Sequence, residues 1–450
     1  MPFFDPQKLS AWSGGSWVGE PPASINGFCF DARQIQPGQC FVALSGGARD
    51  GHDFIEQAAK GGAVAALVEQ AQELSLPQLQ VADSLAALGM IAAAVRRQFT
   101  QPVVAVTGSC GKTSTKEILR CLLGDTCHAT AGNWNNLIGV PMTLFGLDPS
   151  CQDFAVIEAG INQSGEMAAL GQMIRADLNV LTNIGAAHLE LLGSEANIAA
   201  EKSLLVRHAA QDSPLILPAE ALGYPAYAAL ADRAIVLLSE GEPVPALPVR
   251  KMVYYKIVEQ TLCLGSQSYA IASPSHGMAT NAALAIVAAR ELGIAEADIR
   301  QRIEAWRPVG NRGRIATLGA QTFYIDCYNA NPSSMVDALD AFDRSTPQDV
   351  PCFYILGAMN ELGVAAAEQH AAIGRLLRLR PQDRAAFIGP DDLTLAYENG
   401  ALSEEIAVRH LERAANIEKI KSTVAQFEGA IFLKGSRSYQ LEKLLPEGLR

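Results

Sequence analysis

One segment constrains the fold more than any other. Val103-Val104-Ala105-Val106-Thr107 is an apolar run of the length and β-branched character of a buried strand. Gly108-Ser109-Cys110-Gly111 follows as a tight loop, and Lys112-Thr113-Ser114-Thr115-Lys116-Glu117 opens a helix. Strand, glycine loop and helix N-terminus come in the order an anion site requires: backbone N–H groups and the helix dipole face the anion, a lysine adds charge, and a hydroxyl can ligate magnesium. The strict pattern G-x-x-x-x-G-K-[ST] fails, because Val106 stands five residues before Gly111. From the residues alone, a nucleotide loop and a strand–helix turn that happens to use glycines both remain open.

The surroundings specify an α/β chain. Strand-like runs at Val103 to Thr107, Phe154 to Ile157 and Asn179 to Thr182 alternate with helical stretches at Ser194 to Ala210 and Asn281 to Leu292. That alternation predicts a parallel sheet built from βαβ units. Before it, Phe28 to Phe30, Cys40 to Leu44 and Ala63 to Val68 read as short strands of a small α/β module. Residues 245–275 predict added β structure. After Trp306-Arg307-Pro308 a second βα series begins, with runs at Thr322 to Ile325, Ser333 to Phe342, Cys352 to Leu356, Ala385 to Ile388 and Ala430 to Leu433. The expectation is three domains: an N-terminal α/β module over 1–85, a central parallel-sheet mononucleotide-binding ATPase domain over 86–310, and a C-terminal Rossmann-like α/β domain over 311–450.

Composition narrows the function classes. Hydrophobic residues make up 49% and charged ones 18% of 450 residues, the balance of a soluble globular chain. The apolar stretch Ala86 to Val95 ends at Arg96-Arg97, far short of the ~20 residues a membrane helix needs. No basic or apolar leader precedes Asp5, so a cytoplasmic location is expected. A net charge of −12 argues against a nucleic-acid partner while leaving small anionic ligands open. Nine scattered cysteines with no C-x-x-C pair predict reduced, mostly buried thiols rather than zinc or redox chemistry.

Metal–nucleotide chemistry also needs ligands from neighbouring strand ends. Glu158 follows the Phe154 run, and His188 follows the strand ending in Thr182-Asn183, so both belong at the carboxyl edge of the sheet, where open α/β folds bind ligands. Each has an ordinary alternative: a structural histidine for His188, a helix-capping acid for Glu158. Lys202, in Glu201-Lys202-Ser203, reads from its residues as a solvated helix lysine.

Several separated segments together resemble the Mur ligase family, the ATP-dependent amino-acid ligases of peptidoglycan precursor synthesis. The family loop T-G-[ST]-x-G-K-T-[ST] is matched by Thr107 to Ser114, and it is shorter than the strict pattern that failed above. Gly132 to Pro141 is similar to G-N-x-N-N-x-x-G-x-P, Asp326 to Met335 to D-x-Y-N-A-N-P-x-S-M, and Lys434 to Arg437 to K-G-S-R. The first two segments are most similar to those of the members that add D-alanyl-D-alanine. In the front module, Asp31-Ala32-Arg33, Pro37 to Leu44, Gly47 and Asp50 to Phe54 resemble the UDP-sugar-binding domain. There are departures. Ala32 replaces a serine, Gly277 replaces a histidine four residues before Asn281, with His276 displaced by one, and Ala358 replaces an acid in Gly357-Ala358-Met359-Asn360-Glu361-Leu362-Gly363.

The resemblance implies an amide-bond-forming ligase that joins D-alanyl-D-alanine to UDP-N-acetylmuramoyl-tripeptide, uses ATP and Mg2+, and acts as a monomer. It implies catalytic roles for Lys112, Glu158, His188 and Lys202, with Thr113, Glu158, His188 and Lys202 as magnesium ligands and Lys202 open to carbamylation. Gly108, Ser109, Cys110, Gly111, Lys112, Thr113, Ser114, Asn281, Arg314, Asp326, Tyr328 and Asn331 are then expected at ATP. Asp31, Arg33, Gly47, Asn135 and Asn136 are expected at the UDP-peptide. His370 keeps a helix-surface reading beside a functional one. The rival activities are another Mur-type or folylpolyglutamate-type ligase, and a nucleotide-binding scaffold without turnover.

Overall fold

The computed structural model describes residues 4–46, 49–186, 189–273, 275–402 and 410–449. These divide into two compact units, one of residues 1–107, 123–179 and 201–215, the other of 108–122, 180–200 and 216–450.

In the first unit a five-stranded sheet runs in the spatial order Ser16–Val18, Gln78–Gln80, Ala65–Val68, Cys40–Val42, Phe28–Cys29. Its first pair is antiparallel and the rest are parallel. Phe41, Ile55, Ala66 and Val68 form its core. Three of these strands lie on expected runs. Ser16–Val18 and Gln78–Gln80 escaped because short segments with glutamine or serine show no period-2 apolar pattern, yet Gln78 is buried, its amide exchanging hydrogen bonds with the Gln72 backbone at 2.8 and 2.9 Å.

The helix Ser84–Arg96 starts where Asp83 accepts the Ala86 N–H at 2.8 Å. Its small residues allow close packing; a β-carbon on Gly89 would stand 2.5 Å from Met173 Cε. At its end the buried Arg96 guanidinium donates to the Ile174 and Phe99 carbonyls, each at 2.8 Å, and pairs with Asp177 at 2.7 Å. An arginine that looked like the polar end of a helix is therefore an internal tie. Beside it, Phe154–Glu158 is the middle of three parallel strands, flanked by Val103–Thr107 and Cys127–Ala129.

In the second unit Ala234–Ser239 pairs parallel with Lys251–Val258, and antiparallel Thr261–Leu264 and Gln267–Ala270 supply the added β structure expected over 245–275. The helix His276–Glu291 begins five residues before the expected Asn281, with Ser275 accepting the Met278 N–H as its cap. A six-stranded sheet follows, in the order Arg314–Leu318, Gln321–Asp326, Gly429–Lys434, Cys352–Gly357, Arg384–Ile388, Leu411–Ala414. All its pairs are parallel except the first. Strand alternation sends Tyr324, Tyr354 and Phe432 to one core and Phe323, Phe353 and Ile431 to another, so both faces are covered, as in a doubly wound sheet. The fold is thus the expected α/β type with parallel-rich sheets.

Two expectations about side chains are corrected. His370 is neither on a helix surface nor open to a ligand: it is fully buried. Its Nε2 lies 2.9 Å from the Met359 N–H, which must donate, so Nδ1 carries the proton and donates to the Ala366 carbonyl. The nine cysteines are free, but only Cys40, Cys327 and Cys352 are buried, while Cys151 is exposed and the rest are intermediate.

Candidate active site

The phosphate loop lies in the second unit. Gly108 has φ +147° and Gly111 φ +81°, values that side-chain-bearing residues rarely adopt. Space demands glycine as well, since a β-carbon at Gly108 would lie 1.9 Å from Thr182 Oγ1, and one at Gly111 would lie 2.4 Å from Asn281 Oδ1. The loop is held from outside: Asn183 accepts the Ser109 N–H on its carbonyl at 3.1 Å and the Cys110 N–H on its side chain at 2.8 Å. Ser109 Oγ and Gly185 bond reciprocally at 3.0 Å, and the Thr182 hydroxyl donates to the Cys110 carbonyl. Lys112 reaches back across the loop to donate to the Gly108 carbonyl at 2.7 Å, which bends it over the turn an anion would fill. Thr113 and Ser114 occupy the first turn of the helix Lys112–Leu123, at the end where the helix dipole favours an anion. Burial pushes the Cys110 thiol up, so no thiolate competes with an anion here.

Glu158 lies in the first unit. It is 1% exposed at the end of its strand and pairs in register with Val106, one residue before Thr107. Its backbone N–H donates to Thr130 Oγ1 at 2.9 Å, and its Oε1 accepts from Asn135 Nδ2 at 2.7 Å. Asn135 is thereby brought to the carboxylate. Asn136 turns away, its side chain accepting the Gly139 N–H at 2.9 Å ahead of the helix Gly139–Leu144. Lys202 is 1% exposed, so the solvated-lysine reading is wrong. Neighbouring Glu201 is buried too and accepts the Gly165 and Met167 N–H groups at 2.8 and 3.1 Å, serving the start of the helix Glu166–Ile174. In the front module Asp31 and Arg33 pair with each other at 2.7 Å, and the guanidinium holds the Asp31 carboxyl at about 2. His188 and Gly47 lie outside the described residues.

The ATP-side residues after 280 belong to the second unit. Asn281 sits against Gly111, as above. Asp326 is paired with buried Lys434, whose ammonium also reaches the Asn329 carbonyl at 3.3 Å. Tyr328 carries the Arg312 guanidinium 3.8 Å above its ring and Arg437 at 5.7 Å. Asn331 is engaged as a helix cap, accepting the Ser334 N–H at 2.9 Å in a capping box. Arg314 instead donates to the Leu449 carbonyl, at the far edge of the six-stranded sheet. Thr182, Asn183 and Lys434 in the second unit, and Thr130 in the first, hold these residues without having been singled out individually. The available signal was a polar residue closing each buried apolar run.

These residues fit a magnesium nucleotide. The carboxylate of Glu158 and the hydroxyl of Thr113 are hard oxygen donors. Among the described residues no group of three or more His, Cys, Asp or Glu side chains gathers for a metal. Magnesium needs no such cage, because it usually keeps waters and phosphate oxygens. The glycine loop leads into a helix N-terminus, which favours an anion.

Comparison with known proteins agrees with this chemistry. Family models match in succession: Mur ligase family, catalytic domain, over 24–109; Mur ligase middle domain over 106–289; and Mur ligase, glutamate ligase domain, over 313–437. The UDP-N-acetylmuramoyl-tripeptide–D-alanyl-D-alanine ligase of Escherichia coli is 33% identical over 426 residues, covering 92% of each chain. A structure of MurF from Acinetobacter baumannii superposes with a TM-score of 0.85 at 28% identity, over 99% of this chain and 98% of that one. The MurF ligase of Thermotoga maritima, solved in complex with ADP, shares the fold with a TM-score of 0.76 at 24% identity, over 93% and 95%.

Proposed function

The chain belongs to the Mur ligase family, and from that premise we propose that it joins D-alanyl-D-alanine to UDP-N-acetylmuramoyl-tripeptide, converting ATP to ADP and phosphate. The carrying observation is end-to-end likeness to the Escherichia coli ligase, supported by the Asp326 to Met335 segment. The family's other activities, including folylpolyglutamate synthesis, are not favoured.

A carboxylate oxygen of the tripeptide attacks the γ-phosphorus, the bond to the bridging oxygen breaks, and ADP leaves. The dipeptide amine then attacks the acyl carbon and loses a proton, and phosphate departs with the carboxylate oxygen. Both steps concentrate negative charge, so positioning and electrostatics carry the catalysis. Lys112 and the loop N–H groups hold the β and γ phosphates. Thr113 and Glu158, with His188 and Lys202, are the proposed magnesium ligands; bound magnesium neutralises phosphate charge. Asn281, Asp326, Tyr328 and Asn331 serve the nucleotide side, and Asp31, Arg33, Gly47, Asn135 and Asn136 the UDP-peptide. Arg314 stays in the proposed set through its place after Gly313, although its hydrogen bond to Leu449 argues for a structural share.

The proposed division is 1–85, 86–310 and 311–450; three successive family matches support three parts, the first of them running to residue 109. Among the described residues no helix is long and apolar enough to cross a membrane. A monomer acting in the cytoplasm is the proposed setting.

The test is phosphate release from ATP and UDP-N-acetylmuramoyl-tripeptide, with and without D-alanyl-D-alanine. Release that needs the dipeptide supports the assignment; release only with another amine, or none, overturns it. Lys112→Ala should abolish release with circular dichroism unchanged, and near-normal turnover would refute the loop's role.

A further inference from the structure

The start of the helix His276–Glu291 is joined to the helix Pro332–Ser345 by a single carboxylate. Asp337 accepts the Gly277 N–H on Oδ1 at 2.9 Å and the Ser275 hydroxyl on Oδ2 at 2.6 Å. Ser275 is buried, and the same hydroxyl accepts the Met278 N–H at 2.9 Å. One orphan N–H of a 16-residue helix, that of Gly277, is thus satisfied directly by an anion 60 residues further along the chain, where the dipole favours it, and a second, that of Met278, by the hydroxyl this anion orients. The pairing depends on Gly277: a β-carbon there would lie 2.8 Å from Asp337 Oδ2 and 3.2 Å from Cγ. Glycine at 277 and aspartate at 337 are therefore mutually fitted.

What each end carries gives the contact its meaning. One turn into the first helix is Asn281, whose carboxamide rests on Gly111 of the phosphate loop. At the head of the second helix stands Asn331, which follows Tyr328, Asn329 and Ala330. We infer that Asp337, with Ser275 and Gly277, is a clasp that holds the C-terminal sheet's first helix onto the helix bearing Asn281, and so populates the closed, substrate-competent state. Asp337 is a positioning residue; it touches no substrate. The inference rests on the ligase reading for its consequence in turnover, but not for the clasp itself.

When the competent state is only partly populated, apparent affinity falls by that fraction. Asp337→Ala should therefore raise KM for D-alanyl-D-alanine ~10-fold while kcat changes less than ~3-fold. Gly277→Ala pushes the carboxylate off the helix and should do the same in the native background. In the Asp337→Ala background it should add nothing, because the collision partner is gone. Additive effects in this cycle, or a lowered melting temperature with KM unchanged, would overturn the clasp and leave only a helix cap. Small-angle scattering supplies a readout independent of turnover: the ligand-free native protein should be more compact than Asp337→Ala, and equal profiles overturn the proposal. If the native protein releases no dipeptide-dependent phosphate, the ligase reading fails, and scattering still decides the clasp.

Discussion

Asn135 donates from Nδ2 to Glu158 Oε1 at 2.7 Å while its own carbonyl accepts the Gly160 N–H at 2.8 Å. The Asn135 backbone is thus tied just beyond the carboxylate that its side chain orients. This arrangement fixes Glu158 from two sides, since Thr130 holds its backbone N–H.

Asn135→Ala should then weaken Mg2+ dependence rather than the fold, with ~10–100-fold lower affinity for the metal or lower activity, the usual cost of losing a partner that orients a metal ligand. Titrating activity against Mg2+ checks it. An unchanged curve would assign Asn135 to the peptide substrate alone.

Gly108→Ala places a β-carbon 1.9 Å from Thr182 Oγ1 on a backbone at φ +147°. The expected cost is about 1–3 kcal/mol of stability, read by urea unfolding, together with loss of ATP binding by calorimetry. A stable variant that still binds ATP would show that the loop has a second conformation.

Burial pulls His370 below its ordinary 6.5, and its Nε2 must stay unprotonated to accept the Met359 N–H. The unfolded chain therefore binds the extra proton first as pH falls. Stability should be full above pH about 6.5 and decline below it, until pH passes the lowered folded-state value. His370→Gln should be less stable at pH 8 but show a flatter melting-temperature profile between pH 7 and about 5. Parallel profiles would remove His370 from the acid sensitivity.

Desolvation pushes the Cys40 and Cys327 thiols up to about 12 and Cys352 to about 11, whereas Cys151 is exposed. Iodoacetamide at pH 8 should label Cys151 first and the other three only on unfolding, as mapped by mass spectrometry. Early modification of Cys327 would contradict the packing behind Asp326.

Much of the fold was legible because its signals are local. The Val103 run, two glycines and Lys112 specify strand, turn and helix within fifteen residues, and continuous apolar runs located the later strands. Glu158 at a strand end followed from the same pattern. Individual fates were not legible where burial is set by distant packing. Lys202 and His370 sit in stretches whose polarity suggests a surface, yet both are buried, because neighbouring elements cover them. Asn331 and Asn136 belong to segments that resemble a substrate site, yet the Asn331 side chain caps a helix and the Asn136 side chain accepts the Ile138 and Gly139 N–H groups of its own turn.

By itself the sequence determined the element types, the phosphate loop and the family likeness, since backbone preference and apolar periodicity act over a few residues. Only the tertiary structure decided which polar groups face one another: Asn135 with Glu158, Asn183 with the loop, and Asp337 with Gly277. Each pairing spans 23 to 73 residues and exists because a buried donor or acceptor left unmatched costs more than the chain entropy of bringing its partner.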